Sequence, residues 1–173
     1  MSAAATVYAL LIEDQRMDVT DDRRIATRWA ATHGLFALGL HGAGASRAEI
    51  AAAARTRMLD GLQPEIDLAA VEAGIAAEDL RTWLREAGSE AIPAMPFIGQ
   101  LEQIFVHRFK NADERWERND LNDMVFLACA AGYADVVVGE RKMSSYLNRA
   151  DKAVTPRAFV CRTLEEAVEF LAD

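Results

Sequence analysis

Two cysteines, Cys129 and Cys161, are all the chain has. Each lies inside an apolar segment, so both read as buried, reduced thiols and not as a disulfide framework. No apolar run approaches the roughly 20 residues that a membrane span requires. The start, Met1-Ser2-Ala3-Ala4-Ala5, has neither the basic region nor the long apolar core of a signal peptide. Positive charge is also scarce: 27 acids face 19 bases, giving a formal net charge of −8. Such a surface repels nucleic acid on average, although an acidic metal site would inflate the count and be neutralised by bound cations. His33, His41 and His107 show no metal-ligand spacing with each other or with the cysteines, which argues against zinc. No serine or cysteine sits in a nucleophile elbow or near a histidine motif, so a triad hydrolase has little support. His41-Gly42-Ala43-Gly44-Ala45-Ser46 lacks the lysine and spacing of a phosphate-binding loop and the third glycine of the dinucleotide fingerprint. It reads as a plain loop. What these lacks leave is a cytoplasmic protein with no membrane segment.

At 173 residues and 51% hydrophobic, the chain fits a single domain spanning residues 1–173 with a sizeable core. Val7 to Ile12 suits either a buried strand or a helix, because Tyr8, Leu11 and Ile12 also share a helical face. A helix is expected from Asp21 or Asp22 to His33, stopped by Gly34, with Leu35 to Leu40 a short strand or the start of a loop. Ser46 and Glu49 form a capping box for a helix to about Asp60. Two further helices are expected over Pro64–Gly74 and Ala76–Ala87, then a break over Ala91–Pro96. Pro96 suits the first turn of the next helix, in which Phe97, Leu101, Ile104, Phe105 and Phe109 recur at helical spacing. Its opposite face holds Gln100, Gln103 and His107.

Asn119 is expected to cap a helix to about Ala131, with Gly132 as its stop. Val136-Val137-Val138 is β-branched and apolar on both faces, which predicts a central parallel strand. Helix Arg141–Ala150, strand Ala158–Cys161 and a last helix capped by Thr163 and Glu166 complete an alternation. The fold class is therefore α/β, helix-rich, with a short parallel sheet and helices on both faces.

Within that alternation the acids carry the chemistry. Asp120 and Asp123 share one face at a helix start, and Glu140 follows the valine strand at the end where α/β proteins place their ligands. The helix start lies towards the same sheet edge, and clustered carboxylates there suit a hard divalent cation. The bland alternative is that both aspartates only complement the helix dipole. Two close acids repel when no cation or base lies between them, so replacing both by asparagine is expected to raise the stability of the metal-free protein. Asp135 begins the strand, at the far end from Glu140, and reads as a turn or cap residue. Arg108, Lys110, Arg115, Arg118, Arg141, Lys142, Arg149, Lys152, Arg157 and Arg162 enrich the C-terminal half in bases. They form either an ordinary solvated surface or a basic border for a nucleic-acid backbone.

From about Arg118 to Ala150 the chain resembles the C-terminal part of PIN-like domains, a nuclease superfamily. There an aspartate opens a helix of small apolar residues, followed by a turn, a buried strand and another acid; here Asp123 opens the helix and Gly139-Glu140 ends the strand. A largely uncharacterised bacterial PIN-like subgroup resembles it more closely, with an Asn-Asp-Leu-x-Asp start matched by Asn119 to Asp123 and a Tyr-x-Asp matched by Tyr133 to Asp135. The resemblance implies a three-layer α/β/α fold. It also implies Mg²⁺- or Mn²⁺-dependent ribonuclease activity, with Asp120, Asp123 and Glu140 as catalytic and metal-binding residues and RNA as substrate. The chain departs from that pattern twice. Gly139-Glu140 stands where typical members have threonine or serine and then aspartate. The usual first-strand aspartate has only Glu13 or Asp14 as candidates, and these serve only if Val7 to Ile12 is a strand; a truncated or atypical N-terminal half is the other explanation. A catalytically degenerate interaction or regulatory module is the alternative function. A homodimer using the Phe97–Phe109 helix and a protein inhibitor are the further partner expectations.

Overall fold

The computed structural model describes residues 19–150, 154 and 158–172. Val7 to Ile12, with Glu13 and Asp14, lies outside the described residues. The chain opens with α1 (Val19–Gly42), a single 24-residue helix. It runs straight through Gly34, the expected stop. The reason is periodicity: Trp29, Ala30, His33, Phe36, Ala37 and Leu40 keep one face turned to the core on both sides of the glycine. Continuous burial of that stripe outweighs the ~1 kcal/mol that a mid-helix glycine costs. The apolar run read as a strand is the same helix with Leu35 and Leu38 facing outward, 70% and 65% exposed.

Helix α2 (Arg47–Gly61) begins at the expected capping box, in which Ser46 and Glu49 each accept the other's backbone N–H. It buries Ile50, Ala54 and Met58, one per turn. Helices α3 (Gln63–Glu72) and α4 (Ala77–Glu86) follow, and then α5 (Gly88–Ala94) occupies most of the expected break. Pro93 lies inside α5, one residue before its end, where it forgoes a backbone hydrogen bond. The real interruption is Met95 alone, whose ψ of 123° turns the chain before Pro96.

At the centre lies α6 (Pro96–Lys110). Its expected polar face is only partly solvated: Gln100 is buried, and Gln103 and His107 are half-buried. Glu102 and Arg108 are also buried, together with Leu101, Ile104, Phe105, Val106 and Phe109. α6 is wrapped by α2, α5, α7 and α8, and its apolar stripe is core. Helix α7 (Asp120–Tyr133) returns antiparallel to it, since Asp120 meets Arg108 near one end and Gly132 meets Pro96 near the other. Gly132 does not stop α7; it lets the two backbones touch. A Cβ there would lie 2.5 Å from the Pro96 carbonyl oxygen.

Strand β1 (Val136–Val138), helix α8 (Arg141–Asn148), strand β2 (Phe159–Cys161) and helix α9 (Leu164–Ala172) complete the chain in the expected order. β1 and β2 pair in parallel, Val136 opposite Phe159, Val137 opposite Val160 and Val138 opposite Cys161. Val137 and Val160 enter the main core, whereas Phe159 stacks on Phe170 of α9 with ring centroids 4.1 Å apart. Met143, Tyr146 and Leu147 point inward from α8, as their spacing predicts. The mixed, helix-rich α/β class thus holds. The valine strand is not central, however: among the described residues the sheet has two strands, and Val138 is 41% exposed. No helix among the described residues is long and apolar enough to cross a membrane.

Candidate functional site

Where α6 runs into α7 the chain carries a wholly buried arginine. Arg108 continues the inward stripe of Leu101, Ile104 and Phe105, so its guanidinium enters the core and must be paired there. Nη2 binds Asp120 Oδ2, reaches Glu114 Oε1 at 3.0 Å and donates to the Arg115 carbonyl at 2.9 Å. Nη1 donates to Met124 Sδ at 3.4 Å, and the Trp116 ring lies 4.1 Å from the guanidinium carbon. Glu114 carries the network outward: Lys142 Nζ is 2.7 Å from Oε1, and Tyr146 donates its hydroxyl proton to Oε2 at 2.9 Å. Burial, reinforced by that carboxylate, pushes the Tyr146 phenol up to about 12. Two cations and two anions balance.

This network decides what Asp120 is doing. Its Oδ2 accepts from Arg108 and also from the Glu117 N–H, and the residue is buried. The Asp120 carboxylate thus ties the chain just before α7 to Arg108 of α6, and the capping expected of Asn119 is not found. Asn119 has helical backbone angles (φ −84°, ψ −15°) and makes no side-chain cap. The expected mutual repulsion of Asp120 and Asp123 is likewise relieved, because Arg108 neutralises the first of the pair.

Asp123 and Glu140 stand differently. Both are exposed, and among the described residues neither carboxylate has an ion-pair or hydrogen-bond partner. Asp123 lies in the first turn of α7. Glu140 occupies the N-cap position of α8, directly after β1, but makes no capping bond through its side chain. The turn between β1 and α8 packs on α7: a Cβ at Gly139 would lie 3.1 Å from Leu127 Cδ2, and Leu127 sits one helical turn beyond Asp123. The two segments that carry the free acids, the turn after β1 and the first half of α7, are therefore in contact. Asp135, exposed at the start of β1, is at the other end of that strand.

Among the described residues no group of three or more His, Cys, Asp and Glu side chains is arranged to hold a metal ion. Asp123 and Glu140 alone suit a cation of the Mg²⁺ type, which usually keeps several waters and takes one or two carboxylates. Asp120 does not fit as a free ligand, because its Oδ2 is committed to Arg108 and to Glu117.

Two clefts lie beside these acids. One, of about 290 Å³, is lined by Arg23, Ile25 and Ala26 of α1 and by Arg118, Asn119, Leu121 and Asn122 beside Asp123. The other, of about 430 Å³, is lined by Arg141, Lys142, Ser145, Tyr146, Arg149 and Arg162 beyond Glu140. The histidines are structural. His33 is buried against Trp29, Phe105, Phe109 and Trp116, and its Nδ1–H donates to the Trp29 carbonyl at 2.7 Å. Burial lowers its pKa to about 4; the Trp29 carbonyl opposes this, and Arg57 and Arg108 reinforce it. His41 Nε2 donates to the Phe109 carbonyl at 2.8 Å, which ties the end of α1 to α6. His107 stacks on Tyr146 and bonds the Arg149 carbonyl.

Arg108 and Glu114 were missed by the sequence reading as parts of one network. The available signal was an arginine at helical spacing within the inward stripe of α6, which requires a buried acid nearby. No protein-family model, curated protein or solved structure gives a significant match to this chain.

Proposed function

We propose that the chain is a PIN-like, metal-dependent ribonuclease of three-layer α/β/α type, with Asp123 and Glu140 as its free site carboxylates. The observation that supports this reading is that both acids are exposed and unpartnered among the described residues, on segments that pack together through Gly139 and Leu127, with an arginine-bearing cleft beside each. Unpaired acids gain nothing for stability by standing together, whereas a site for a divalent cation requires them. Mg²⁺ or Mn²⁺ bound there would supply an activated water and charge neutralisation at a phosphodiester.

The chain's own residues account for the rest. Asp120, paired with Arg108, anchors the start of α7, the helix that carries Asp123, against α6. Arg23, Arg118, Asn119 and Asn122 offer donors to backbone phosphates beside that acid. Glu13 and Asp14, the candidates for a third acid, lie outside the described residues.

The ion pair of Asp120 favours a second reading, a PIN-like interaction or regulatory module that binds without cutting, since one expected ligand is committed elsewhere. Cleavage of a labelled single-stranded RNA in Mn²⁺ separates the two. The nuclease reading expects turnover by the parent and none by Asp123→Asn, with the same melting curve. Activity that is equal in both, or absent from the parent, overturns it. A rise in melting temperature on Mn²⁺ addition, lost in Asp123→Asn with Glu140→Gln, reports metal binding independently of turnover.

A further inference from the structure

The cleft beyond Glu140 collects four cations, of which only Lys142 has a carboxylate partner among the described residues. Arg141, Lys142 and Arg149 come from α8 and Arg162 from the residue after β2, and no carboxylate is among the residues that line it. Lys142 shares its charge with Glu114. Arg149 is held in place, with Nε donating to the Ser145 carbonyl at 2.9 Å and its guanidinium carbon 5.5 Å from the Tyr146 ring. Among the described residues the guanidinium groups of Arg141 and Arg162 have no ion-pair partner. Arg141 and Lys142 also occupy the first turn of α8, where the helix already presents partial positive charge and acids are the stabilising choice. Arg141, Arg149 and Arg162 thus stand around one concavity with no carboxylate among the residues that line it, an arrangement that an anion would complete.

We propose that this cleft receives a phosphate monoester dianion, either free or as the terminal phosphate of an RNA strand. An internal phosphodiester carries one charge, and a strand passing over a surface meets its cations in a track. Four cations from two elements around one concavity instead match a group that carries nearly two charges near neutral pH and three acceptor oxygens. Arginine forks suit it because each can hold two of those oxygens at once, and the Ser145 hydroxyl adds a neutral donor. Arg141 adjoins Glu140, so an RNA end bound here lies beside the free acids. That placement draws on the ribonuclease reading; the binding itself does not.

The test runs in EDTA, so that binding is read without cleavage and its failure is distinct from failure of the nuclease reading. Fluorescence anisotropy compares one single-stranded RNA with and without a 5′-phosphate, on the parent and on the double variant Arg141→Gln, Arg162→Gln. A terminal phosphate held by two arginine forks gives about tenfold tighter binding to the parent. The double variant loses that preference, and its melting curve is unchanged because both side chains are exposed. In a second arm, inorganic phosphate raises the melting temperature of the parent but not of the variant. Phosphate stabilisation without an RNA-end preference identifies the free anion as ligand, and a preference identifies the strand end. Neither effect in the parent, or both persisting in the variant, overturns the proposal.

Discussion

Arg108 of α6 and Asp120 of α7 form an ion pair in which the arginine is wholly buried and the aspartate nearly so. It joins the two central antiparallel helices near one end, while the Gly132–Pro96 contact joins them near the other. Between these points the apolar faces of α6 and α7 form the centre of the core, with α2, α8 and the two strands packed around them. Removing one partner of a buried pair leaves the other charged and dry, which costs far more than the pair itself contributes.

Asp120→Asn is therefore expected to lower stability by about 2–3 kcal/mol in urea denaturation, less than for an isolated pair because Glu114 still faces Arg108. Asp123→Asn should change it by no more than about 0.5 kcal/mol, as exposed substitutions do. This reverses the expectation from sequence, in which relief of repulsion made both substitutions stabilising. Equal effects at the two positions would show that the pair with Arg108 does not operate in solution.

Stability should fall as pH drops from about 6.5 to about 4. His33 has its folded-state pKa lowered to about 4, so below 6.5 the unfolded chain takes up a proton that the folded chain refuses. The contribution is complete above 6.5 and lost as pH falls through the folded value; it amounts to at most about 3 kcal/mol. His107, also lowered by burial, acts in the same direction. Urea midpoints measured across this range should flatten in His33→Phe, leaving only the residual slope. An unchanged slope would place the pH sensitivity elsewhere.

Two glycine-to-alanine substitutions inside helices should have opposite signs. Gly39 of α1 has open space around its Cβ position, so alanine there should stabilise by about 0.5–1 kcal/mol through reduced backbone entropy of the unfolded chain. At Gly132 the same methyl meets the Pro96 backbone, and the forced separation of α6 from α7 should destabilise by about 1–3 kcal/mol. Thermal melts of the two variants decide this directly.

How much of this was legible in the sequence depends on the physical range of each signal. Local chemistry was readable: the Ser46–Glu49 box, Pro96 at a first turn, and the inward Met143, Tyr146 and Leu147 all act within a turn or two. Gly34 was misread because a glycine's tendency to end a helix is a local preference, overridden by a stripe that keeps its period from Trp29 to Leu40. Gln100 was misread because an outward-looking polar residue becomes buried when helices pack on every side of α6. At the site, the position of Glu140 directly after β1 followed from the order of elements. The diversion of Asp120 did not, since it depends on an arginine from another helix whose burial only the packing of α6 reveals.

Because Asp123 and Glu140 hold no partner among the described residues, the fold does not depend on them. Under the proposed function, single substitutions at these two positions would remove cleavage and leave the scaffold folded, whereas changes at Arg108 or Asp120 would cost stability first. The residue proposed for cutting and the residue that holds the helices together would then stand on one helix, only three positions apart.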